Sequence, residues 1–331
     1  MTVLRVLRVP KALRLPGTRA SGHGPANPHV NPNRSKIIHS NATPLLAAAF
    51  CAGALTTSAQ GGFVLFGDAA PAPEPAHKVV RPLTAPYFHE DAFVTSDLRA
   101  WYVNHQFYGD TIGGEAEVYA LQVRLALTKR LQLVAYKDGY TDLSDTGLGN
   151  PDGWNGLGAG LKYAVIQDWE NQFHLAGGIG YELGLGDAEV LQDTDELRLW
   201  LSANKGFDRL HLGFAANYRV ADNHRDGPFG AADMVTLHAH ADYFVNDWFS
   251  PVVELNGYFV TDEGPVGADF SGVDAVSIGG GEDEATLTGA LGAELRPLGP
   301  GLGLRLAYET ELTDNVSLFG HRWTFSTVYE F

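Results

Sequence analysis

The sequence predicts an all-β chain, a transmembrane antiparallel up-and-down β-barrel of about 12 strands, and three observations carry that expectation. From Asp97 onward, segments of about ten residues alternate apolar with polar side chains, the period of a strand wetted on one face only. The connections between these segments alternate short and long. The final strand, His321 to Phe331, puts Trp323, Phe325, Thr327, Tyr329 and Phe331 on one face and Arg322, Thr324, Ser326, Val328 and Glu330 on the other. A strand with one side against lipid and one against a polar lumen has this pattern, and it requires no apolar run of helical length.

Ahead of the strands, residues 1–59 contain no acidic residue. Arg34 and Lys36 precede a small-residue apolar run from Pro44 to Leu55, which leads into Thr57-Ser58-Ala59. A charged region, an apolar region of about a dozen residues and a small-x-small end describe a secretory signal, cut between Ala59 and Gln60. The run is too short to span a bilayer as a helix. Met1 to Val30 exceeds a normal signal, so the true start is expected near Val30. An organelle transit peptide is the competing reading of so basic a stretch. Cys51 lies inside the signal after bulky Phe50, unlike a lipoprotein site, so the mature chain has no cysteine and no thiol chemistry.

Seven of the 23 basic residues and none of the 39 acidic ones fall in residues 1–59, leaving 16 basic residues and a net charge of −23 after cleavage. That balance argues against nucleic acid as a partner. Residues 60–96 form a Pro/Ala-rich stretch, as in Ala70-Pro71-Ala72-Pro73-Glu74-Pro75, with no apolar period. It reads as a solvated periplasmic extension. The alternative is that Tyr87-Phe88-His89 fold into the barrel mouth as a plug.

The barrel itself spans 97–331, with strands expected at 98–107, 117–127, 131–140, 154–166, 172–183, 195–204, 210–220, 233–244, 251–260, 285–296, 302–309 and 321–331. Short connections fall at 128–130, 167–171, 205–209, 245–249 and 297–301, and long ones at 108–116, 141–153, 184–194, 221–232, 261–284 and 310–320. This rhythm matches periplasmic turns and extracellular loops with both termini in the periplasm. A Greek-key sandwich has no reason to keep it.

The last strand resembles the C-terminal strand of Gram-negative outer-membrane barrels, whose terminal Phe and preceding aromatic are read by the assembly machinery. Tyr329 and Phe331 occupy those positions. More specifically, Leu127-Thr128-Lys129-Arg130-Leu131-Gln132-Leu133, Gly156-Leu157-Gly158-Ala159-Gly160-Leu161-Lys162-Tyr163, Gly177-Gly178-Ile179-Gly180-Tyr181-Glu182-Leu183 and the run from Thr313-Asp314-Asn315 into Phe319-Gly320-His321-Arg322-Trp323-Thr324-Phe325 are similar to the meta-pathway phenol-degradation-type transporter family. The resemblance covers 97–331 and is one of pattern. It implies an outer membrane reached by secretory export, a channel or uptake role with aromatic or hydrophobic compounds as one cargo class, and no catalytic residue set.

Alternation points Arg124, Lys162, His174, Glu182, Arg198, Arg219, Glu254, Glu294, Arg296, Arg305, Glu309 and Arg322 into the lumen. Their opposite charges suggest cross-strand ladders, Arg305 with Glu294 and Arg322 with Glu309, with a structural role and a selectivity role both open. His238, His240 and Asp242 share a strand face. Two residues of spacing bring imidazoles within reach of one metal, but no third ligand is identifiable, so a hydrogen-bonded pair is expected and no metal is assigned. The acidic loop Thr261–Glu284 has no Lys or Arg and is a possible divalent-cation site, although it lacks EF-hand spacing and a solvated loop is the default.

No Gly-x-Ser-x-Gly elbow or His-x-Ser pairing is present, and no catalytic or cofactor-binding residue is assigned. The expectation is an outer-membrane channel for small solutes, with outer-membrane lipid, the barrel assembly machinery and the solute as partners. A barrel enzyme acting on envelope lipid or peptide, and a structural or adhesive barrel, are the alternatives. Acidic loops at the mouth favour cations. Unpaired Arg124, Lys162, Arg198 and Arg305 at the narrowest point would reverse that preference.

Overall fold

The computed structural model describes residues 62–67, 76, 78–109, 112–147, 149–190, 192–222, 232–262, 285–313 and 319–331. The expected signal and most of the acidic loop lie outside them. The strands are β1 (Asp97–Phe107), β2 (Glu115–Ala126), β3 (Leu131–Lys137), β4 (Tyr140–Ser144), β5 (Asp152–Trp154), β6 (Leu157–Asp168), β7 (Phe173–Leu183), β8 (Asp195–Phe207), β9 (Leu210–Asp222), β10 (Asp233–Tyr243), β11 (Phe249–Asp262), β12 (Ala285–Leu295), β13 (Leu302–Glu311) and β14 (Phe319–Glu330).

All pairings are antiparallel and join sequence neighbours except around β3 to β6, and β1 pairs with both β2 and β14, which closes the sheet. β3 and β4 both pair with β2 and form one stave, interrupted at Asp138-Gly139. β5 and β6 form another, interrupted at Asn155-Gly156. The result is a closed antiparallel barrel of twelve staves. Closure leaves no unpaired edge, the condition for crossing a bilayer with strands.

Strand ends move by a residue or more at most of the expected connections, and two of the shifts have a visible cause. Thr141–Ser144 belong to a strand rather than a loop, because Tyr140, Thr141 and Asp142 find ladder partners on both β2 and β5. The expected five-residue turn at 205–209 contracts to Asp208-Arg209 between β8 and β9, with Asp208 at φ 61° in a conformation that Asp tolerates.

The two faces invert the arrangement of a water-soluble protein. On β8, Glu196, Arg198, Trp200 and Ser202 are buried in the interior, whereas Leu197, Leu199 and Leu201 are exposed on the outside. Leu291 is 67% exposed while Arg322 is fully buried. An exterior of Leu, Ile and Phe around an interior of charge is stable only where the surroundings are apolar. Register then aligns the outward aromatics into a band: Tyr308 lies tilted against Trp323 (4.8 Å), Phe325 against Tyr102 (6.0 Å) and Tyr102 against Tyr119 (5.2 Å), and Tyr140 meets Trp154 edge-on (5.3 Å). These amphipathic rings suit the level of the lipid headgroups.

Candidate functional site

The interior is occupied by the segment that leads into β1. Val79 to Phe93 are buried throughout, with Thr84 and Ala85 at 0% exposure. A solvated tail is thereby corrected to a plug inside the barrel. The physical reason is backbone satisfaction: Pro82 and Pro86 lack an N–H, the segment forms no ladder, and its buried peptide groups require side-chain partners. The wall supplies them from all sides. Glu254 on β11 accepts from the Leu83 N–H (2.8 Å), the Thr84 N–H (2.7 Å) and the Thr84 hydroxyl. Arg198 donates to the Tyr87 and Phe88 carbonyls, and Asn217 Nδ2 donates to the latter at 3.0 Å. Ser202 Oγ donates to the Glu90 carbonyl (2.6 Å), Gln122 Nε2 to that of Pro86 (2.9 Å), and Asn204 Oδ1 accepts from the Ala92 N–H (2.8 Å).

Side-chain charge locks the same segment. Arg124 forks onto the Glu90 carboxylate, Nε to Oε1 at 3.0 Å and Nη2 to Oε2 at 2.7 Å. Lys162 Nζ lies 3.0 Å from Glu90 Oε1 and 3.5 Å from Asp91 Oδ1. Asp91 also faces Arg99 (3.2 Å) and Arg81 (3.9 Å). Burial alone would push both carboxyls up, but Arg124 and Lys162 around Glu90, and Lys162, Arg81 and Arg99 around Asp91, outweigh it and hold both below the usual carboxylate range. Both are therefore ionised, and the pairing is between full charges.

The glycine-rich motifs of β6 and β7 explain how Arg198 is aimed. A Cβ at Gly178 would collide with the Trp200 indole, and one at Gly180 would sit 2.6 Å from the Tyr136 ring. With those Cβ atoms absent, Tyr136 and Trp200 lie against the wall, and the Arg198 guanidinium stands 4.8 Å from each ring centroid. Glycine is needed here for close approach rather than for an unusual φ.

A second network runs along β9 to β11. His240 lies between Glu254 (2.7 Å) and Asp242 (3.1 Å), and Asp242 continues to His211 (2.8 Å). His238 bonds Asn256 and Thr236, both at 2.8 Å, so the strand-face histidines are hydrogen-bonded separately rather than gathered on one point. His89 of the plug stacks on His238 at 5.2 Å and meets His240 edge-on at 6.1 Å. Burial pushes its imidazole down to about 4 against the opposing pull of Glu254.

The remaining inward residues pair within the wall. Arg305 Nε is 2.6 Å from Glu294 Oε2, and Glu294 also meets Arg296, which donates to the Val79 carbonyl. Arg322 Nη2 is 2.5 Å from Glu309 Oε2, Lys137 meets Glu182 at 2.5 Å, and Arg219 meets Glu196 at 3.7 Å. His174 packs on Trp169 and Phe93 in a small pocket of about 10 Å³, room for one water. Arg124, Lys162, Arg198 and Arg305 are therefore all partnered in this state. At the terminus, Phe331 N–H donates to the Ser96 carbonyl, and the Phe331 ring lies 6.1 Å from that of Tyr329.

Sequence reasoning missed Arg81, Glu90, Asp91 and Arg99, and named His89 only in the alternative of a plug. Arg99 shares the inward parity of Asp97 and Trp101 on β1 and was accessible to the same alternation argument. The plug residues had a weaker signal, the change from Pro/Ala repeats to Arg81-Pro82-Leu83-Thr84-Ala85-Pro86-Tyr87-Phe88-His89-Glu90-Asp91.

No protein-family model and no curated protein sequence matches the chain. Among solved structures, an outer-membrane channel from Pseudomonas putida F1 aligns over 76% of this chain and 100% of its own at 14% identity, with a TM-score of 0.51. The KdgM porin with oligogalacturonate (11% identity, 71% of this chain and 98% of that one, TM-score 0.44) and the NanC porin (9%, 72% and 100%, 0.46) align more loosely. At such identity the first likeness is one of fold. Together with the inverted faces and the closed ladder, it makes this chain an outer-membrane-type β-barrel of twelve staves, with residues 79–93 lodged in the lumen.

Proposed function

We propose that the protein is an outer-membrane channel for small solutes, closed in the state described by residues 79–93 and opened when they move. The observation that carries this reading is the way the lumen is filled. The occupying segment belongs to no stave and is held by non-covalent polar contacts, so it can leave without breaking a β-ladder. Long loops face outward and short turns face the periplasm, where the segment enters. An apolar cluster lies towards the loop end of the lumen, Tyr87 and Phe88 against Val103, Val118, Leu143, Met234, Tyr258 and Phe319, which supports passage of aromatic or hydrophobic compounds past that layer.

The test is conductance with the plug locked and unlocked. A disulfide between Ala92→Cys and Asn204→Cys, with Cys51 replaced by Ser, should silence the channel in planar bilayers, and a reductant should restore it. Barrels that fold but stay silent both reduced and with 79–93 deleted would remove the transport reading. The filled lumen itself favours one alternative, a structural or adhesive surface barrel, which expects that silence. A barrel enzyme would instead need hydrolysis of envelope lipid or peptide by the folded protein. Recognition of Tyr329 and Phe331 by the assembly machinery predicts that deleting Phe331 impairs insertion far more than Ser326→Ala, as read by membrane fractionation and the heat-dependent gel shift.

A further inference from the structure

The two adjacent carboxylates of the plug fill a cationic recess built by the wall. Arg124 on β2 and Lys162 on β6 are both buried, and all of their ion pairs among the described residues go to Glu90 and Asp91. Arg99 on β1 also holds Asp91, while keeping Asp97 of its own strand at 2.7 Å. Arg81 is part of the plug and leaves with it. Movement of residues 79–93 therefore uncovers a guanidinium fork and an ammonium whose plug carboxylates have departed. A fork recognises a carboxylate through two parallel hydrogen bonds, and an ammonium serves a second carboxylate as a point charge.

We propose that Arg124, Lys162 and Arg99 form a carboxylate-binding site in the solute path, suited to small dicarboxylates, and that Glu90 and Asp91 occupy it in the closed state as an internal mimic of the solute. The proposal rests on the channel reading and deepens it by naming a substrate class. A dicarboxylate then does two things: it competes with the plug for its latch, and it meets a favourable charge once inside.

The test uses the full chain in planar bilayers, with succinate as dicarboxylate, butyrate as monocarboxylate and putrescine as a cationic control. Succinate should raise the open probability of the wild type, whereas butyrate and putrescine should not. The Glu90→Gln/Asp91→Asn channel should be open without succinate and should pass succinate over putrescine by roughly tenfold or more, the low end of what a charged low-dielectric cleft does to local ion concentration. Adding Arg124→Gln and Lys162→Gln to that background should abolish the preference.

An open Glu90→Gln/Asp91→Asn channel with no succinate preference, or one that keeps it after the added changes, overturns the carboxylate site while leaving the channel standing. If no form conducts, the channel reading fails instead, and thermal shift decides the site on its own. Succinate should raise the melting midpoint of the Glu90→Gln/Asp91→Asn barrel, butyrate should raise it less, and the added Arg124→Gln/Lys162→Gln changes should remove the effect. Equal shifts with and without those two cations overturn it.

Discussion

Two groups of buried cations line the same lumen and are neutralised in different ways. On β12 to β14, Arg305 and Arg322 take their carboxylates from the strand next door, where register sets Glu294 opposite Arg305 and Glu309 opposite Arg322. On β2 and β6, Arg124 and Lys162 take theirs from Glu90 and Asp91, in a segment outside the sheet. The first kind is part of the wall and persists for as long as the barrel does. The second kind can be exchanged without unfolding. One side of the lumen is thus built for permanence and the other for release.

The sharpest way to break this contrast is to remove one carboxylate from each side. Glu294→Gln takes the charge from the carboxylate that pairs buried Arg305 in the wall and should cost the barrel about 3–5 kcal/mol, read as a lower midpoint in the heat-dependent gel shift. Glu90→Gln should lower that midpoint much less, because the plug can leave and water can reach Arg124 and Lys162. It should appear instead as conductance. Equal midpoint losses would mean that the plug is as integral as a strand.

Acid should act on the releasable side first. His89 has an ordinary pKa of 6.5 when free and about 4 when docked beside Glu254, His240, His238, Asp91 and Glu90. The released state therefore binds the proton more tightly. Docking keeps its full stability above pH 6.5 and loses it as pH falls towards 4, by on the order of 3 kcal/mol in all. Glu90 and Asp91, depressed by their cations, add a loss in the same direction below their free values near 4. Opening on acidification, measured as conductance at pH 7 and pH 4.5, should be blunted in His89→Gln. An unchanged pH response in that variant would assign the effect elsewhere.

A smaller effect links the wall to the plug. Gly178→Val displaces the Trp200 indole that supports Arg198, and overpacking of this kind costs about 1–3 kcal/mol. Leakier closure with little loss of barrel stability is the expected signature. The smallest change should come from Lys78→Ala, which breaks an exposed pair with Asp208 at 3.3 Å and is worth at most about 1 kcal/mol. Substantial opening in that variant would show that the plug is held at its entrance rather than along its length.

Much of this architecture was legible in the chain, and the difference between the two groups of cations explains which part. The strands, their closure into twelve staves and the pairs Glu294–Arg305 and Glu309–Arg322 follow from a period of two and a near-regular alternation of turns, because a β-ladder converts position in sequence into position in space. The exact reach of β4 and the two-residue turn at Asp208-Arg209 were less legible, since ladder partners rather than local residues set where a strand stops. The plug obeys no period. Pro82 and Pro86 mark only that residues 79–93 are not strand, and the same composition describes a solvated tail equally well. Its place was decided by partners far away in the chain, Glu254 for Leu83 and Thr84, Arg124 for Glu90 and Lys162 for Asp91, which converge only once the barrel has closed. The sequence by itself therefore determined the wall, through local alternation, while only the tertiary structure decided what fills it, through charge and hydrogen bonding across the lumen.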